Sequence, residues 1–161
     1  MTPVLNRRRL GRRGSAVLEF ALVGPVVITL MVGLFELGLQ LTTGAMLDYG
    51  VRMASRWGVT GRATPDGSTR EAYIRSQILT ATGGFLKSGR LSVTLTAYGS
   101  WANAMGRTGA TGGPGGSSAV VSYSVSYLQP VMTPPAVALL GRREFRHTDV
   151  LVVNNEPYPN P

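Results

Sequence analysis

From Phe20 to Phe35 the chain carries no charge, and apolar residues continue through Leu37, Leu39, Leu41, Ala45, Met46 and Leu47. Roughly 20 apolar residues, at ~1.5 Å rise each, cross the ~30 Å hydrocarbon core of a bilayer. A span over about residues 15–41, from Ser15 to Leu41, is therefore long enough. The pattern then changes: Leu41, Ala45, Leu47, Val51, Ala54 and Trp57 are apolar, whereas Asp48, Arg52, Ser55 and Arg56 are not. Such an amphipathic continuation is expected to leave the membrane and pack on a folded head. One helix is thus predicted over 15–58, about 65 Å long, stopping before Gly61. Gly24 and Pro25 interrupt its first half, because Pro25 removes a backbone hydrogen bond and crowds the preceding turn, so a kink is expected there.

Beyond Gly61, Pro65-Asp66-Gly67 reads as a turn, and Ser68 and Glu71 have capping-box spacing. A second helix follows, with Ala72, Ile74, Ile78 and Leu79 on one side and Gly83-Gly84 ending it. Leu91, Val93, Leu95 and Ala97 alternate with polar residues, as do Val121, Tyr123, Val125 and Tyr127, which is strand periodicity. Residues 99–118 between them are glycine-rich and read as a long mobile loop, in which Trp101 and Met105 are candidate partner contacts. Pro130, Pro134 and Pro135 mark a crossing segment with a short apolar turn at Ala136–Leu140, and residues 144–153 read as a third strand. The expected fold class is α+β: a long N-terminal transmembrane and amphipathic helix, then a small extracytoplasmic head over 59–161. That head holds a second helix and an antiparallel sheet of about three strands.

Charge gives this pattern a direction. Arg7, Arg8, Arg9, Arg12 and Arg13 precede Gly14, and the next basic residue is Arg52. Arginines on one flank hold that flank in the cytoplasm, so the head is expected outside the inner membrane. The formal charge of +8 falls to about +3 once those five are set aside. The basic balance therefore reports topology and is poor evidence for nucleic-acid binding. A cleaved secretory signal would need a shorter apolar region followed by a small-residue cleavage site, whereas here the best cut precedes the apolar run. Glu19 is the exception inside that run, since a lone carboxylate in a membrane helix is costly and marks function. Glu36 lies near the outer boundary by counting, where it is expected to snorkel or to pair.

Basic leader, Gly14, four small or apolar residues, Glu19 and the aromatic Phe20 form the processing pattern of class III pilin-like proteins. The continuation Glu19-Phe20-Ala21-Leu22-Val23-Gly24-Pro25 resembles the TadE family of tight-adherence pilus pseudopilins, and Val152-Val153-Asn154-Asn155-Glu156-Pro157-Tyr158 is similar to the family's C-terminal end. The resemblance implies removal of residues 1–14 by prepilin peptidase between Gly14 and Ser15. Glu19 would then neutralise the new Ser15 amine of its own or a neighbouring subunit and set the register of packed subunits. It implies a minor pilin of a tight-adherence (Flp) type IVc pilus, in a priming or tip complex. The implied partners are a TadF-like minor pseudopilin, the major pilin and the inner-membrane assembly platform, with incorporation into an extracellular pilus as a further implication. Ser15 stands where type II secretion pseudopilins usually have phenylalanine, which argues against that group.

No enzyme, cofactor or metal site is read from the sequence. The chain has one histidine and no cysteine, which excludes disulfides and thiolate metal sites. His147 and Asp149 share a strand face, but no Gly-x-Ser-x-Gly elbow accompanies them. Gly112-Gly113-Pro114-Gly115-Gly116 lacks the Lys-Ser/Thr of a phosphate-binding loop. The alternatives are an uncleaved, membrane-anchored binding module and an anchored hydrolase using His147 and Asp149.

Overall fold

The computed structural model describes residues 11–158. Residues 1–10, most of the expected leader, lie outside them, as do 159–161. Helix α1 runs Gly11–Gly58, with Pro25 inside it. It ends where the sequence predicted and begins four residues before Ser15. Arg70 closes its C-terminus, donating from Nη1 to the Gly58 carbonyl (3.0 Å) and from Nη2 to the Arg62 carbonyl (3.1 Å). The Arg70 guanidinium also lies 5.7 Å from the Trp57 ring centroid. A cation there satisfies carbonyls the helix leaves free and opposes the negative end of its dipole.

Helix α2 (Arg70–Ala81) packs along α1, burying Ile74 and Ile78. Its cap differs from the expected one. Thr69, not Ser68, accepts the Ala72 N–H (3.2 Å), while Ser68 is bonded to Asp66 and Glu71 accepts the Leu95 N–H of the sheet (3.3 Å). Asp66 competes for Ser68 and shifts the cap by one residue. Ala72 is exposed rather than packed. Gly50 lets the two helices approach, since a Cβ there would sit 3.0 Å from Ile78 Cγ2 and 3.2 Å from Thr82 Cγ2.

Strand β1 (Leu91–Tyr98), helix α3 (Trp101–Gly106), strand β2 (Thr111–Gly112), strand β3 (Val120–Pro130), helix α4 (Pro134–Leu140) and strand β4 (Glu144–Asn154) follow. The sheet is antiparallel in the order β2-β1-β3-β4, four strands rather than about three. The added strand and α3 both lie in the segment expected to be a mobile loop. Ser100 caps α3 by accepting the Asn103 N–H (3.2 Å), and β2 pairs Gly112 with Thr96. Two residues of ladder and one cap leave no periodicity for sequence reading to detect. The Leu91↔Tyr127 to Tyr98↔Val120 register puts the two alternating apolar rows on one face.

That face forms the core with α1 and α2: Leu47, Val51 and Ala54 meet Ile74, Ile78, Leu95, Val121, Tyr123 and Val125. The other face is lined with Ser92, Thr94, Ser122, Ser124, Ser126 and Thr148, so side-chain period 2 separates core from solvent. Tyr123 is 1% exposed, and a Cβ at Gly58 would run into its hydroxyl. The helix end can therefore cross the sheet only at a glycine. Along the second half of α1 the buried residues are Glu36, Thr43, Leu47, Gly50, Val51, Ala54, Ser55 and Gly58. Leu41 and Ala45, expected among them, are exposed. Each lies two residues, ~200° of helix rotation, from Thr43 or Leu47.

The C-terminal segment closes the head. Asn155 is 1% exposed and donates from Nδ2 to the carbonyls of Pro114 (3.0 Å) and Gly116 (2.9 Å). The Glu156 N–H bonds the Val59 carbonyl (2.9 Å) and the Tyr158 N–H bonds Ser117 Oγ (3.0 Å). One turn thus ties the glycine-rich segment to the end of α1.

Candidate functional site: the bare half of the long helix and its polar junction

Between Ser15 and Phe35 only Gly24 of α1 is buried, beneath the Phe20 ring, and Val32 is half-buried. Every other side chain is exposed, including Phe20 at 75% and Leu34 at 69%. An apolar surface of this extent is not stable in water and requires lipid or other helices around it. The helix is long and apolar enough to cross a membrane. The 21 residues from Ser15 to Phe35 correspond to about 32 Å, close to the thickness of the hydrocarbon core.

At the start of this half, Ser15 Oγ donates to Glu19 Oε1 at 3.0 Å. Helical i,i+4 spacing brings the two together on one face. Gly14 and Ser15 lie within the helix as the chain stands. At Gly24-Pro25 the helix continues: Pro25 has no N–H to give, and its own carbonyl accepts the Thr29 hydroxyl at 2.7 Å. Phe20 covers Gly24, at 3.6–3.8 Å from where a Cβ would stand, so the aromatic and the glycine form one local contact.

The bare half ends at Glu36. This residue is 3% exposed and does not snorkel. Its Oε2 accepts the Met132 N–H (3.0 Å) and its Oε1 accepts from Gln40 Nε2 (2.9 Å). Gln40 Nε2 faces Glu36, which turns Gln40 Oε1 to within 2.9 Å of His147 Nε2; an amide oxygen only accepts, so Nε2 is the donor. Burial holds His147 below the usual imidazole pKa, keeping it neutral. The single turn of α1 from Glu36 to Gln40 is therefore fastened to the β3–α4 connection and to β4. Sequence reading missed this. Gln40 and His147 are 107 positions apart, and only the Glu36–Gln40 spacing hinted that Glu36 had a local partner. Beside the junction, α1 and α4 enclose an apolar cavity of about 250 Å³, with Thr29, Gly33, Leu139, Leu140 and Phe145 among its walls.

The remaining sequence-derived sites are dispersed. Trp101 (51% exposed) and Met105 (85%) lie on α3, which packs on β1 and β3, whereas the junction joins α1 to β4. They share one helix face at i,i+4 spacing. His147 and Asp149 do share the inner face of β4, and His147 is bonded there to Gln40. Among the described residues no group of three or more His, Asp or Glu could hold a metal ion.

Comparison with curated proteins and with solved structures finds no match. The family model described as TadE-like protein matches residues 14–56. The matched stretch covers the long N-terminal helix from the Gly14–Ser15 step through the junction and into the core, so this helix is similar to the TadE-like family, and the resemblance read at residues 14–25 falls within it.

Proposed function

We propose that this protein is a minor pseudopilin of a tight-adherence pilus, anchored in the inner membrane by Ser15–Phe35 with its head outside. Prepilin peptidase cuts between Gly14 and Ser15, and the freed subunit enters a priming or tip complex with a TadF-like partner and the major pilin on the assembly platform. The observation that carries this reading is the Ser15–Glu19 pair at 3.0 Å, at the head of a bare apolar helix. Cleavage would turn Ser15 into a free ammonium one helical turn from the Glu19 carboxylate. Among packed apolar helices a matched pair is tolerated, whereas a lone charge is strongly penalised. The pair would then discriminate between correct and shifted subunit register.

The test is the N-terminal mass of the membrane-fraction protein, with and without prepilin peptidase, for the natural chain and for Gly14→Val. A chain starting at Ser15, produced only with peptidase and intact Gly14, is the expected result. A chain that keeps its leader under every condition would overturn it and leave an anchored binding module. Glu19→Ala is expected to be cleaved normally yet to fail in pilus assembly.

A further inference from the structure

We propose that the turn joining α4 to β4 is a second membrane contact, in which Leu139 and Leu140 enter the lipid on the head's side of the bilayer and Arg142 and Arg143 bind anionic phospholipid phosphates. The inference rests on the reading of Ser15–Phe35 as a membrane span.

Position along α1 is the first argument. The head begins to cover α1 at Glu36, yet Leu139 and Leu140 share a cavity with Thr29 and Gly33. Thr29 lies seven residues before Glu36, about 10 Å along the axis. The C-terminal end of α4 therefore reaches back beside the bare half. With Ser15–Phe35 filling the hydrocarbon, that end stands at the boundary between headgroups and acyl chains, the depth at which interfacial helices lie.

Composition is the second argument. α4 reads Pro-Pro-Ala-Val-Ala-Leu-Leu and buries only Ala136, while Leu139 is 73% and Leu140 44% exposed. Gly141 then ends the helix in the left-handed region (φ +65°), donating its N–H to the Val137 carbonyl at 3.0 Å. Arg142 and Arg143 follow at once, both exposed. Neither is paired with a carboxylate among the described residues, where the one recorded ion pair is Arg52–Asp48. The Arg142 guanidinium lies 5.4 Å from the Phe145 ring centroid, and the Arg143 carbonyl accepts the Val131 N–H at 2.8 Å, which fixes the turn. Apolar side chains below and free guanidinium groups beside them match the order of acyl chain and phosphate in a lipid leaflet.

The chain has no cysteine, so single replacements give clean labels. Leu139→Cys, Leu22→Cys and Met105→Cys, each spin-labelled in the full chain, are placed one copy per nanodisc of mixed phosphatidylglycerol and phosphatidylcholine. Accessibility to oxygen and to a water-soluble nickel complex reports depth. The expected result is lipid exposure at positions 22 and 139 and water exposure at 105. Arg142→Glu or Arg143→Glu is expected to shift the position-139 label toward water by about fivefold, and less in nanodiscs of phosphatidylcholine alone. A label in lipid at 22 but in water at 139 overturns this inference and leaves the span intact. Water exposure at 22 overturns the span and this contact with it. Shielding at 139 only when other pilus subunits are added assigns the surface to a protein partner and also overturns it. A position-139 label that ignores both charge reversals overturns the arginine role.

Discussion

The two halves of α1 are one continuous helix with opposite surroundings. From Ser15 to Phe35 every side chain but the half-buried Val32 is exposed; from Glu36 to Gly58 a stripe is buried against α2 and the sheet. Their sequences explain the difference. The first half is apolar on every face and has no preferred side to bury, whereas Thr43, Leu47, Val51 and Ala54 repeat at three or four residues. The second half therefore finds its partner within the chain, and the first half requires one from outside. The comparison also separates two carboxylates. Glu36 is satisfied by Gln40 and the Met132 N–H, so it serves the fold. Among the described residues Glu19 is bonded to the Ser15 hydroxyl alone, the pairing on which the proposed assembly role rests.

The largest test of this contrast pairs Tyr123→Ala with Leu22→Ala. Removing the fully buried ring should cost about 3–5 kcal/mol of head stability. Removing the exposed Leu22 side chain should leave head stability within about 0.5 kcal/mol. Denaturation of the detergent-solubilised chain, followed by near-ultraviolet circular dichroism, reads both. Equal losses would break the division between the halves.

Alkaline titration comes next. Burial pushes the Tyr123 phenol from 10.0 up to about 12, against a smaller opposing pull from Arg70. The folded chain keeps this proton where the unfolded chain loses it, so the stability is fully present below pH 10. It should fall by about 2–3 kcal/mol as the pH rises toward 12. Tyr123→Phe should flatten that limb.

At the junction, Glu36→Ala should cost about 1–3 kcal/mol, because the Met132 N–H and the Gln40 amide lose a buried acceptor. Hydrogen exchange at Met132 should quicken, and exchange in the β1–β3 ladder should change less. Uniform loss across the sheet would show that the junction is inseparable from the core.

The smallest effect concerns His147, whose folded-state pKa burial lowers from 6.5. The unfolded chain binds this proton first, so the contribution is present above pH 6.5 and is lost as pH falls through the folded-state value. His147→Gln should remove this limb, and amide shifts at Gln40 and Gly44 should follow the same titration.

The order of elements was legible in the sequence wherever a period was sustained. The α1 end at Gly58, the 70–81 helix and the three long strands each repeat over eight residues or more. Short elements were not legible. α3 and β2 rest on a single cap and two ladder residues, and the Thr69 cap depended on Asp66 winning Ser68. The Asn155 turn could be read as a motif, but its role as a tie between residues 114–116 and Val59 depended on chain ends meeting in space.

By itself, then, the sequence determined the bare apolar helix, its basic flank, the Gly14-to-Glu19 spacing and the faces of the sheet. Each of these is a matter of residue type at fixed intervals along one element. Only the tertiary structure decided where the bare half stops. Glu36 by itself reads as a boundary charge. It becomes a buried anchor because Met132 brings a backbone N–H and Gln40 brings His147 from 107 positions away. Burial of a polar group depends on which partners the fold delivers to it, and that information is not carried by local spacing.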